Sequence, residues 1–178
     1  LPGYSADVEV LLENRAGVLR VPTQAVLDGN RVFVFDAATG VLTRNAGTDI
    51  ITRQQFARFE LEVEWKVGPR GNSGIFYWAN EGTGRIYENA PEMQILDNGG
   101  HRDGGSPLTS AGANYALNAP IRDVTRPVGE WNAARVVARG DTVEHWLNGS
   151  KLLEYVAGSP EWQRLVAGSK FNDWPSYG

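Results

Sequence analysis

No cysteine occurs among the 178 residues. Disulfides, thiolate metal sites and a cysteine nucleophile are therefore excluded, while any redox compartment stays open. There is no surplus of basic charge either. Lys and Arg number 17 against 21 Asp and Glu, a net charge of −4. The cations are scattered rather than clustered, so nucleic acid is not an expected partner. No apolar run approaches the roughly 20 residues of a bilayer-spanning helix. The start, Leu1-Pro2-Gly3, has neither a Met nor a basic stretch followed by an apolar one, which leads us to expect a removed signal or a fragment that begins within its gene. Helical periodicity beyond a turn or two is missing, and no internal repeat is visible.

What the chain does hold is enough for one folded domain. Apolar residues make up 42% and charged residues 21%, with six Trp, and a chain of this size buries roughly 70% of its unfolded surface. Glycine (21) and proline (9) punctuate short apolar runs, a pattern of strands and turns. The clearest strand is 59–67, where Phe59, Leu61, Val63, Trp65 and Val67 share one face and Glu60, Glu62, Glu64 and Lys66 the other. Strict alternation predicts one buried and one solvated face. Further strands are expected at 73–79, 92–96, 131–139, 142–147 and 151–155, the last two joined by the turn dipeptide Asn148-Gly149. Only 160–166 reads as helix, with Ser159 as N-cap, Pro160 at the first position and Glu161 in the first turn. Several short strands with one small helix argue for an all-β sandwich. Residues 82–125, with the run Asp97-Asn98-Gly99-Gly100-His101-Arg102-Asp103-Gly104-Gly105, form a long irregular connection of the kind that carries binding or catalysis.

Seven ordered blocks resemble a known family. They are 40–44 (Gly-Val-Leu-Thr-Arg), Ile51-Thr52 leading to Phe59-Glu60-Leu61, Gly71-Asn72-Ser73-Gly74-Ile75-Phe76-Tyr77, Pro91-Glu92-Met93-Gln94-Ile95-Leu96-Asp97, Gly129-Glu130-Trp131-Asn132, Val143-Glu144-His145-Trp146-Leu147-Asn148-Gly149, and Ser169-Lys170-Phe171 with Trp174-Pro175. Over about 40–178 the chain thus resembles the 3-keto-disaccharide hydrolases. That resemblance implies a concanavalin-like jelly-roll β-sandwich that holds sugars, and cleavage of glycosides already oxidised to a ketone at the third carbon. Residues 1 to about 40, with Pro2 to Val10, Val18 to Leu27 and Arg31 to Phe35, instead resemble periplasmic membrane-fusion (efflux adaptor) proteins. The expectation is a fusion or chimera joined near 35–42. Terminal strands usual in the sugar-hydrolase family are expected to be truncated, or replaced by strands at 6–13, 18–22 and 31–35. Unpaired edges in such a fold favour a homodimer through exposed or exchanged strands. Both families imply a periplasmic or extracellular location.

Glu92 and Gln94 are two apart on one predicted strand, so they point to the same face. Related sandwich glycosidases alternate two carboxylates on such a strand; with Gln94 at the second position the usual pair is incomplete. A 3-keto sugar tolerates that, because its ketone acidifies the neighbouring C–H bond, and one base with one electrophile at the keto oxygen serves. The candidate catalytic residues are Glu92 as acid-base, with Asp97, His101 and Lys170 in support. Asp97, His101 and Asp103 are equally candidates for a divalent cation. Candidate substrate contacts are Asn72, Ser73, Tyr77, Gln94, Tyr115, Trp131, His145 and Trp174, the aromatics because sugar rings stack on them. Strand parity puts Ser73, Ile75 and Tyr77 on one face and Phe76 and Trp78 on the other, and the Ser73–Tyr77 set is the one expected in the cleft. Each assignment has a plainer counterpart: a solvated Glu92, an exposed His101, core aromatics. Three functions remain in play, a glycoside-cleaving enzyme, a carbohydrate-binding module and a structural or adaptor protein, in that order.

Overall fold

The computed structural model describes residues 6–9, 33–36, 41–44, 49, 51–52, 55–80, 85–175 and 177. The described chain is all-β: strands β1 (Ala6–Glu9), β2 (Phe33–Asp36), β3 (Val41–Arg44), β4 (Phe59–Val67), β5 (Asn72–Phe76), β6 (Glu92–Leu96), β7 (Asn132–Arg139), β8 (Thr142–Leu147) and β9 (Ser150–Val156), with the short helix α1 (Pro160–Ala167). Seven strands form one antiparallel sheet in the order β2-β3-β1-β4-β7-β8-β9, and β5 and β6 form a second.

The alternation of β4 decides how the sheets meet. Val63, Trp65 and Val67 are buried, while Glu60, Glu62, Glu64 and Lys66 between them are not. Ala134, Val136 and Ala138 of β7, Val143 and Leu147 of β8 and Leu152, Leu153 and Tyr155 of β9 continue the same core, and Met93 and Ile95 of β6 close it from the other side. Two sheets sharing one core make a sandwich, and each fully buried large apolar side chain in it stabilises by about 1.5–3 kcal/mol. The β8–β9 hairpin turns at Asn148 (φ 48°) and Gly149 (φ 76°), both left-handed as a tight hairpin turn requires. Helix α1 starts where the sequence indicates: the Ser159 hydroxyl accepts from the Trp162 N–H at 3.1 Å, and Trp162 is buried.

One difference from the sequence reading concerns a strand end. The strand expected over 73–79 is Asn72–Phe76, and Trp78 just beyond it has a left-handed backbone (φ 56°) that cannot continue a pleat. At the N-terminus β1 lies between β3 and β4, pairing Ala6 with Val67 and Glu9 with Glu64. The strand expected at 18–22 falls outside the described residues.

Strand β6 is covered on its second edge by an irregular segment. Tyr115 N–H donates to the Glu92 carbonyl (3.0 Å), Gln94 N–H to the Ala113 carbonyl (3.0 Å), and Gly112 N–H to the Gln94 carbonyl (2.8 Å). The small sheet therefore presents a three-stranded outer surface made of β5, β6 and residues 112–115.

Candidate active site

Register determines what that surface carries. Directly opposed residues share a face, and the pairs are Asn72 with Leu96, Gly74 with Gln94 and Phe76 with Glu92. Asn72, Gly74 and Phe76 thus lie on the Glu92 face, whereas Ser73 pairs with Ile95 and Ile75 with Met93 on the core face. The cleft set is the opposite of the one expected. Gly74 has a specific role: a Cβ there would overlap the Glu92 carboxyl and stand 2.7 Å from its Cδ. The missing side chain makes the bed in which Glu92 lies.

Burial raises the proton affinity of Glu92, whose pKa is pushed up to about 8. Lys170 opposes the rise, and the carboxylates of Asp103 and Asp49 reinforce it. Lys170 stands in a 3-10 turn (Lys170–Asp173) capped by the Ser169 hydroxyl, which accepts from the Phe171 N–H. Its ammonium lies 4.3 Å from the centroid of the Tyr115 ring, 5.1 Å from that of Phe171 and 5.8 Å from that of Trp174. Desolvation lowers its pKa, against the pull of Glu92 and Asp103. The Tyr115 hydroxyl donates to Asp103 Oδ2 at 3.3 Å, and its pKa is pushed up to about 12, by burial first and then by Asp103. On the flank, His101 Nδ1 accepts from the Asp103 N–H at 3.1 Å, and its Nε2 is 3.4 Å from the Asn72 amide nitrogen. A carboxyl that keeps its proton, an ammonium, a phenol and a further carboxylate thus converge on one patch.

Other expected site residues are elsewhere. Tyr77 and His145 are core groups, 5% and 0% exposed. His145 Nδ1–H donates to the Gly112 carbonyl (3.0 Å), so Nε2 accepts from the Tyr77 hydroxyl (2.7 Å), which in turn accepts from Tyr155 (2.7 Å). Burial lowers the His145 pKa to about 4. Asp97 is engaged by the backbone: Arg70 N–H donates to Oδ2 (2.7 Å), and Gly99 and Gly100 N–H donate to Oδ1 (3.1 and 2.9 Å). It shapes the 97–100 turn. Trp131 stacks under Lys66 of β4 at 4.8 Å and takes no part in the Glu92 cluster. Gln94 lies beneath the cluster and is 1% exposed. Trp174 sits at its rim, against Tyr87 (ring centroids 5.8 Å).

For the divalent cation the donor set does not fit. Among the described residues no three His, Cys, Asp or Glu side chains gather as ligands, and Asp97 has both oxygens taken. Sequence reasoning passed over Gly74 and Asp49. An isolated glycine inside the 73–77 strand pattern was a signal of close approach; nothing local marks Asp49.

This arrangement can be set beside known proteins. A family model, described as 3-keto-alpha-glucoside-1,2-lyase-like domain, matches residues 18–174. The chain belongs to that family. The match includes residues 18–40, part of the segment read from sequence as adaptor-like. A Bacteroides thetaiotaomicron protein named 3-keto-disaccharide hydrolase is 34% identical over 171 residues, covering 88% of this chain and 59% of its own length. A crystal structure from Parabacteroides distasonis, of a protein provisionally named a glycosyl hydrolase, superposes with a TM-score of 0.67 at 33% identity, covering 71% of this chain and 63% of the other. A second from the same organism, similarly named, gives 0.54 at 29% identity, with 59% and 54% covered. This lyase-like domain therefore spans about three fifths of the relatives it matches.

Proposed function

We propose that this domain cleaves the glycosidic bond of 3-keto glycosides by elimination followed by addition of water, with Glu92 as the acid-base group. The observation that carries this is a single carboxyl, buried on the floor of an outward face and holding its proton to about pH 8, beside the ammonium of Lys170. Family membership and the name of the B. thetaiotaomicron relative support the substrate class.

The chemistry needs little more. A ketone at the third carbon acidifies the C2–H bond. A carboxylate whose pKa is about 8 is a stronger base than an ordinary one. Glu92 takes the C2 proton, and the charge that develops on the keto oxygen faces Lys170, a preorganised electrophile. The electron pair then forms C1=C2 as the C1–O bond breaks, and Glu92 returns its proton to the departing oxygen. Water adds back across the double bond, its oxygen to C1 and a proton to C2, giving the free 3-keto sugar. Lys170 lies over the Tyr115 ring, whose hydroxyl donates to Asp103, and Trp174 at the rim offers a ring for the sugar's apolar face.

The test is to incubate the protein with paired ordinary and 3-keto glycosides and follow released sugar by chromatography. Release from the keto member alone, rising with pH through about 8 and lost in Glu92→Gln with binding retained, is the expected result. Binding of both members without product would replace the enzyme by a binding module.

A further inference from the structure

Gln94 is the group the mechanism above leaves unused. It sits two residues from Glu92 on β6, on the same face, and its Oε1 is fully buried with no hydrogen-bond partner. An amide oxygen withdrawn from water without a donor is unfavourable, so a donor should lie close by. The register says where. Gly74 stands directly opposite Gln94, and opposed residues have their Cβ positions about 4.5–5.5 Å apart. The Glu92 carboxyl fills the place of the absent Gly74 side chain. It therefore lies across the strand pair from Gln94, within the reach of the glutamine side chain.

We infer that Gln94 is a positioning residue whose Oε1 accepts the carboxyl O–H of Glu92 and holds that carboxyl over Gly74, oriented for proton transfer. The inference rests on the reading of Glu92 as the acid-base group. It agrees with the proton that Glu92 retains, since a hydrogen bond to the neutral acid acts in the same direction as burial. The other groups that bear on this carboxyl are Lys170, which favours its charged form, and Asp103 and Asp49, which disfavour it. Tyr115, Tyr77 and Tyr177 feel its charge in return but lose their own protons only at higher pH.

Difference infrared titration of the whole chain tests this without needing turnover. The protonated-carboxyl band of Glu92 is identified by its loss in Glu92→Gln. Gln94→Leu and Gln94→Met both delete the acceptor, the second with an unbranched side chain of similar length. The expected result is a fall of the Glu92 midpoint by ~0.5–1 pH unit, with a lower thermal midpoint below pH 8, where the buried carboxyl O–H has lost its acceptor. On a 3-keto glycoside kcat should fall at unchanged KM. An unchanged midpoint overturns the inference, because the amide is then merely buried; a rise overturns it too, because the amide then donates to the charged carboxylate. Loss of folding in both variants also overturns it, since removing one neutral hydrogen bond should weaken the fold without abolishing it. A lowered midpoint in a protein that cleaves no 3-keto glycoside would sustain the positioning role and remove the function proposed above instead.

Discussion

On each side of the small β5–β6 sheet burial holds an ionisable side chain neutral, and the two sides treat it in opposite ways. On the inner side His145 is driven to its neutral form, and both ring nitrogens are satisfied by Gly112 and Tyr77. On the outer side Glu92 is also driven to its neutral form, but its neighbours are charges: Lys170, Asp103 and Asp49. Desolvation is the leading cause in both cases. What separates them is completion. A buried polar group whose partners are all in place specifies a core. One left beside unneutralised charge, on a face open to solvent, can change its proton state and so do chemistry.

The contrast breaks most severely at Glu92. Glu92→Gln should lower turnover of a 3-keto glycoside by at least ~10²-fold and yet stabilise the protein at alkaline pH. The folded pKa of about 8 lies above the ordinary 4.5, so wild-type stability should decline as pH rises from 4.5 to 8, by about 3–5 kcal/mol. The variant lacks that decline, and thermal melts across this range separate the two. His145 predicts the opposite slope. Its folded pKa of about 4 lies below the ordinary 6.5, so stability should fall as pH drops from 6.5 to 4, by about 3 kcal/mol. Substituting His145→Ala should remove that acid slope and cost about 2–4 kcal/mol above pH 6.5, from the cavity and the unpaired Tyr77 hydroxyl, a difference from wild type that shrinks toward zero near pH 4.

A smaller effect sharpens the comparison on the outer side. Gly74→Ala places a Cβ where the Glu92 carboxyl lies; kcat should fall about tenfold as the carboxyl is pushed toward water, and its titration midpoint should move down toward the ordinary range, while stability changes by about 1 kcal/mol or less. The smallest effect is expected at Lys151, whose ion pairs with Glu144 and Glu154 lie on the solvated face of the large sheet. Lys151→Ala should leave the midpoint of denaturant melts nearly where it is and turnover unchanged.

Much of the scaffold was legible in the sequence. The alternation of 59–67, the Asn148-Gly149 turn and the Ser159-Pro160 helix start are local signals, and the strands and helix they predict are present within a residue or two. Glu92 and Gln94 fall on one face because a pleat repeats every two residues. Parity failed at β5 for a reason of the same kind: alternation says which residues share a face, but not which face meets the core. Tyr77 reads as a sugar platform from its chemistry, and only its bonds to His145 and Tyr155 reveal it as interior. Asp97 reads as catalytic from its place in a glycine-rich loop, yet the N–H groups of Gly99 and Gly100 in that loop, and of Arg70 outside it, consume it.

What the sequence determined by itself is the all-β character, the places of the strands from 59 onward, and the placing of Glu92 and Gln94 on one strand face, since each is set by neighbours within a few residues. Tertiary structure alone decided the proton state of Glu92. That depends on desolvation and on charges from Asp49, Asp103 and Lys170, residues far apart in the chain that act through space, where a separation of a few ångströms matters and sequence distance does not.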